Sequence, residues 1–248
     1  DAKAWLASRP VEVELTAIRS ALELAGETGC ALHIVHVSSP EGVALINEAR
    51  AQRVDVTAET CPHYLLLNDK DVVRLGAVAK CAPPIRDEQR RLALWGELRA
   101  GRIHTVGSDH SPSRPEMKDS ANLFAVWGGI AGCQHGFKLL WSECAKTAEK
   151  DLPILAAVLA RNVARRFRID ARKGLLAEGH DADFSLIKFG TEHEIAADDL
   201  RTRHRISPYV GRKSRVRVTH TYVRGCAVYA DGRLTNLPQP GQFLAPHR

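Results

Sequence analysis

Two residue types at two strand-like ends carry the chemistry that this chain suggests. Asp109 sits in Ile103-His104-Thr105-Val106-Gly107-Ser108-Asp109-His110-Ser111-Pro112. Ile103, Thr105, Gly107 and Asp109 share one face by the period of two. Pro112 and Pro115 forbid continuation of the strand. The stretch predicts a short buried strand that stops at a carboxylate, beside an irregular loop. A carboxylate there can ligate a metal and move a proton. Ser108-Asp109-His110-Ser111 taken alone also fits a solvated turn, because Asp and Ser favour turns. His36 ends a second apolar run, Ala31-Leu32-His33-Ile34-Val35-His36-Val37. The alternation puts Leu32, Ile34 and His36 on one face and His33 on the other. A histidine and an aspartate at one rim of a barrel suit a divalent cation such as zinc. Two ligands do not complete such a site, and a single histidine is more often a hydrogen-bonded core residue.

The flanking elements must place those two ends together. Val11, Leu15, Ile18, Leu22 and Ala25 follow helical spacing, with Gly26 and Gly29 to end the run. Ser38 with Glu41 reads as a capping box and Pro40 as an early helical residue, opening a helix to about Gln52. Val54–Glu59 reads as another strand. A long loop then runs through Pro62-His63-Tyr64 to Lys80-Cys81-Ala82-Pro83-Pro84-Ile85-Arg86. A helix over about Asp87–Ala100 leads to the Asp109 strand. The Gly-rich turn Trp127–Gly132 opens a helix to about Glu149, and another covers about Leu152–Phe167. Alternating helices and strands predict parallel pairing, and long loops after the strands favour a barrel over an open sheet. No glycine-rich phosphate fingerprint follows a strand, which argues against a dinucleotide fold. After about Lys173 the pattern turns to β: Gly174–Ile187 reads as a turn between two short strands, Val216–Val223 alternates, and Asp231-Gly232 signals a hairpin.

Composition narrows the class. The 248 residues are 44% hydrophobic and 26% charged, which is globular. No apolar run approaches a membrane span, so no membrane partner is expected. The net charge of +6 includes arginine excesses at Arg161–Arg172 and Arg201–Arg217. These have no interleaved aromatics, so they read as solvated surface and no nucleic-acid partner is expected. Six cysteines without a CxxC pair read as reduced, mostly buried thiols of a cytoplasmic protein.

The ordered segments His36-Val37-Ser38-Ser39, Glu59-Thr60-Cys61-Pro62-His63-Tyr64-Leu65, Lys80–Arg86 and Ser108–Pro112 resemble the cyclic amidohydrolases. That group includes dihydroorotase, hydantoinase, dihydropyrimidinase and allantoinase. Trp127–Gly132 and Ser207-Pro208-Tyr209-Val210-Gly211-Arg212 look like its allantoinase branch. The resemblance implies an α/β fold: the C-terminal portion of a (β/α)8 TIM-type barrel over 1–172, then strands of a small β-sandwich over 173–248. It implies two zinc or other divalent ions bridged by a carboxylated lysine. His36 would ligate the more exposed metal. Asp109 would ligate the more buried one and carry the proton. The backbone at Ala82 would hold the substrate ring, and Ser111 would tune ring specificity. Glu59 and His63 are expected behind the site or in the core. The substrate would be a small cyclic ureide, allantoin opening to allantoate, and the complete enzyme a homo-oligomer, a tetramer. Hydantoinase, dihydropyrimidinase or dihydroorotase activity is the enzymatic alternative; a catalytically dead scaffold or fragment is the other. The family also uses a His-x-His pair, the bridging lysine and a further histidine. No His-x-His occurs in this sequence, so those elements are expected upstream of Asp1, and this chain alone is expected to be inactive.

Overall fold

Three parallel strands position the chemistry. The computed structural model describes residues 1–147, 151–235 and 241–247. Helices α1 (Ala2–Ala7) and α2 (Val11–Thr28) come first. Strand β1 (Leu32–Ile34), helix α3 (Pro40–Ala51) and strand β2 (Val56–Thr60) follow. Two short helices, α4 (Pro62–Leu66) and α5 (Asp69–Leu75), lie before α6 (Glu88–Arg99) and strand β3 (Thr105–Val106). The sheet order is β1-β2-β3, all parallel, with Leu32 opposite Val56 and Glu59 opposite Thr105. Helices between parallel strands make this an arc of the barrel type that the alternation predicts.

Several local expectations need correction. Gly26 does not end α2; the helix continues to Thr28 and stops at Gly29, whose φ of 67° is the left-handed cap that glycine supplies. Ser38 does not cap α3. Ser39 does, accepting from the Gly42 amide at 3.2 Å, and Ser38 is drawn into a buried ion-pair network. The stretch after Pro62 is not a plain loop. Asn68 and Asp71 cap α5 reciprocally, a polar signal outside any long apolar period. The Gly-rich Trp127–Gly132 stretch does not open a helix; α7 begins only at Gly136 and runs to Thr147, and the end expected at about Glu149 lies outside the described residues. The helix expected over 152–167 is present as α8 (Leu152–Ala156) and α9 (Asn162–Arg166) joined by a π-helical turn, Ala157–Arg161.

The second region is a four-stranded antiparallel sheet. Its strands are β4 (Phe184–Glu194), β5 (Lys213–Val223), β6 (Cys226–Ala230) and β7 (Arg233–Leu234), in that order. One long strand replaces the two short ones expected over 174–187. Asp231 (φ 45°) and Gly232 (φ 91°) close the β6–β7 hairpin, as the Asp-Gly pair predicts. One apolar core binds both regions: Ile195 and Tyr209, from the second, are fully buried in the cluster containing Val43, Leu65, Leu94 and Leu140. Three cysteines (Cys61, Cys81, Cys144) are buried and three (Cys30, Cys133, Cys226) exposed, so the thiols are less buried than expected.

Candidate active site

The sheet hands its chemistry to the turns just beyond β1 and β3. His36 lies two residues past β1 with φ 45°, and Asp109 three residues past β3 with φ 42°. A left-handed conformation at a non-glycine residue is uncommon, and such residues cluster at functional sites. It also ends the period-two alternation. The alternation that sets His36 opposite His33 therefore does not carry past Ile34. The regular strand also ends before Asp109. The last ladder bond is the Gly107 amide to the Thr60 carbonyl at 3.0 Å.

On the face carrying Glu59, side chains lace the three strands together. The Thr105 hydroxyl donates to Glu59 Oε2 at 2.8 Å, and His33 Nε2 approaches the same oxygen at 3.4 Å. His33 Nδ1 bonds Thr57 Oγ1 at 2.7 Å. Burial opposes ionisation of Glu59, but hydrogen bonds from His33 and Thr105 and the charges of His33 and His36 hold its carboxyl below the usual range. For Asp109 the balance goes the other way. Partial burial and the Glu59 charge raise its pKa against the pull of His36. A raised carboxyl is better matched to taking up and returning a proton near neutral pH.

Cys61, His63 and Asp109 bring ligand atoms within 4.8 Å of one another. His63 is fully buried, and neither ring nitrogen has a hydrogen-bond partner among the described residues. Burial, with the nearby His36 charge, pushes its pKa down to about 3, so its imidazole is neutral and keeps a lone pair. Burial pushes the Cys61 thiol far up, with Asp109 adding to the effect, so it stays protonated. A neutral imidazole without a partner, beside a carboxylate, is a donor set that fits a divalent cation. No metal-type cysteine spacing marks Cys61 as a neighbour of Asp109 in the sequence.

Two further loops close around this rim. The Tyr64 hydroxyl donates to the Pro83 carbonyl at 2.7 Å, pinning the turn that exposes Ala82. Gly129 donates its amide to the Lys80 carbonyl at 2.8 Å. A Cβ on Gly129 would lie 2.6 Å from both the carbonyl and hydroxyl oxygens of Ser111, and one on Gly132 would lie 2.5 Å from the Ser108 carbonyl oxygen. The Gly-rich stretch is thus a wall against the Asp109 loop, joining the Lys80–Ala82 turn to Ser111. Lys118 secures it by donating to the carbonyls of Ala77, Trp127 and Gly129.

Behind His36, Glu14 accepts from the Ser38 amide at 2.7 Å and the Ser38 hydroxyl at 2.5 Å. Arg86 donates to Ser38 Oγ at 2.9 Å, the Arg9 carbonyl at 2.7 Å and Glu14 Oε2 at 3.1 Å. Glu14 gave no signal in the sequence, since it reads as an ordinary charge in the first turn of an amphipathic helix.

Comparison with known proteins agrees with this architecture. Allantoinases from Rubrobacter xylanophilus and Deinococcus radiodurans are 50% and 47% identical to this chain over 244 and 242 residues, each covering 98% of it. The chain spans about half, 53%, of either relative. The solved L-hydantoinase (dihydropyrimidinase) of Arthrobacter aurescens superposes with a TM-score of 0.92 at 33% identity, over 95% of this chain and 52% of that one. A D-hydantoinase from Bacillus sp. AR9 gives 0.91 at 26% identity, over 100% of this chain and 56% of that one. The model of the amidohydrolase family matches residues 10–228. With parallel strands followed by turns at His36 and Asp109, and with the family model covering most of its length, the chain belongs to the amidohydrolase family.

Proposed function

We propose that this protein hydrolyses a cyclic ureide, opening allantoin to allantoate. The observation that supports this most directly is the strand-end pair: His36 and Asp109 leave parallel strands at one rim, both in left-handed turns, with electrostatic coupling between them. The identity to allantoinases argues for the substrate.

In this reading His36 and Asp109 are metal ligands, Glu59 stands behind them, and His63 offers a further neutral nitrogen beside Asp109. A divalent ion such as zinc held there would supply Lewis acidity toward the ring carbonyl and toward water near neutral pH. In this reading a second ion and a carboxylated lysine would complete the centre that His36 and Asp109 would help hold. Asp109 accepts the proton of the attacking water and delivers it to the ring nitrogen as the C–N bond breaks. The backbone at Ala82 holds the ring, and Ser111, seated on Gly129, contacts its edge. Residues 1–172 act as the barrel part and 173–248 as the β part. The protein works in the cytoplasm as a homo-tetramer. No helix among the described residues is long and apolar enough to cross a membrane.

A hydantoinase activity is the second reading, favoured by the superposition on the Arthrobacter enzyme. The test is a panel of allantoin, hydantoin, dihydrouracil and dihydroorotate, assayed on the full-length protein at equal zinc loading. Allantoin should give the highest kcat/KM. A higher value on any other ring would overturn the assignment. Zinc binding without hydrolysis of any of them would favour a scaffold.

A further inference from the structure

We propose that Glu59 is the positioning residue for Asp109, acting through the bare Cα of Gly107. This rests on the reading of Asp109 as the proton carrier. Glu59 lies opposite Thr105 in the β2–β3 register, and its carboxylate accepts from the Thr105 hydroxyl at 2.8 Å. From there it reaches along β3 to Gly107. A Cβ on Gly107 would lie 2.3 Å from Glu59 Oε1, 2.6 Å from Cδ and 3.0 Å from Oε2. Gly107 is not among the residues with positive φ, so what a Cβ there would meet is the Glu59 carboxylate, which must move to admit it, and not a backbone restriction. Gly107, the residue just past β3, makes the last bond of that ladder, to the Thr60 carbonyl. Two residues later the chain turns left-handed at Asp109. The Glu59 carboxylate therefore packs against the point from which the Asp109 turn departs, and it is fixed from the other side by His33.

A contact of this kind predicts suppression. In the full-length protein, Gly107→Ala should drive the Glu59 carboxylate and the β3 exit apart and lower kcat by about tenfold or more, since small misplacements at reacting groups are costly. KM should change less than kcat, because the ring contact at Ala82 lies on another loop. Glu59→Asp draws the carboxylate back by about one C–C bond, ~1.5 Å. The double variant Gly107→Ala/Glu59→Asp should then turn over faster than Gly107→Ala alone. Independently, Thr105→Val should lower kcat and Thr105→Ser should restore it, which keeps the idea testable if Gly107→Ala fails to fold. Amide hydrogen exchange over 108–111 reads position without catalysis: it should speed up in Gly107→Ala and slow again in the double variant. A double variant no better than Gly107→Ala in both kcat and exchange would overturn the proposal. If exchange responds as described while the parent protein opens no cyclic ureide, the positioning stands and the reading of the reaction fails.

Discussion

Arg86 offers the sharpest test of how the site is held. Its side chain is 9% exposed and that of its partner Glu14 is 6% exposed, so the ion pair is sealed from water. Arg86→Met keeps most of the volume and removes three hydrogen bonds, to Ser38, Arg9 and Glu14. The Glu14 carboxylate then retains only the amide and hydroxyl of Ser38 as donors among the bonds described. Breaking a buried pair by removing one partner costs about 3–5 kcal/mol, mostly from the charge left behind. A domain of ordinary stability has about 5–15 kcal/mol in total. The variant should therefore show a clearly lower urea midpoint with an unchanged slope. Glu14→Gln/Arg86→Met removes both charges and should recover most of the loss, giving a coupling energy well above that of an exposed pair. Ser38 is two residues beyond His36, and Arg86 ends the Lys80–Arg86 segment containing Ala82. The single variant should thus lose activity at urea concentrations where it is still folded. A loss below about 1 kcal/mol, the range of a surface pair, would refute the reasoning, and so would a double variant as unstable as the single one.

Asp109→Asn should lower turnover on order of a hundredfold or more, because it removes the proton carrier; activity within a few-fold of the parent would sink that role. The complete enzyme should prefer allantoin to dihydroorotate at equal metal loading, and a reversed ratio of kcat/KM would refute it. Stability should also fall on acidification. Burial, with the charges of Arg50, His33 and Arg166, pushes His104 down to about 4, and burial with Lys138 nearby pushes His135 to about 4. The unfolded chain binds these protons below about pH 6.5 and the folded one only near pH 4. Unfolding free energy should therefore be level above pH 6.5 and decline between pH 6.5 and about 4. His104→Gln should flatten part of that slope; an unchanged slope in the variant would exclude His104 as a source.

The arc of the barrel was legible because long periodic signals dominate it. The apolar face of α2 buries Val11, Ile18, Leu22 and Ala25, four of the five residues its spacing nominates. Asp87 caps α6 by accepting from the Arg90 amide at 2.9 Å, within a residue of the expected start. The elements that were not legible are short and polar at their ends. Helices α4 and α5 have 5 and 7 residues, too few for a periodic face to emerge. The Gly-rich stretch misled for a related reason. Glycine before an apolar run resembles a helix start, whereas Gly129 and Gly132 are set by close approach to Ser111 and Ser108, partners about twenty residues earlier in the chain.

The site divides along the same line. His36 and Asp109 stood out because each closes an apolar run that reads as a strand, although the regular strands stop two and three residues before them. Their orientation could not be read, since alternation presumes extended backbone and both residues are left-handed. What holds them was invisible for a different reason. Glu14 reaches Ser38 across 24 positions and Arg86 across 72. Glu59 meets Gly107 only because β2 and β3 pair in register. Ligand candidates are written locally, in residue type at an element's end. Their supports are written in pairs that the fold alone brings together, and such pairs have no local signature. A chain can therefore keep a recognisable His36 and Asp109 and still lose the site through Glu14 or Gly107, neither of which resembles a functional residue when read in sequence, or through Glu59, which the sequence places behind the site without showing its partner.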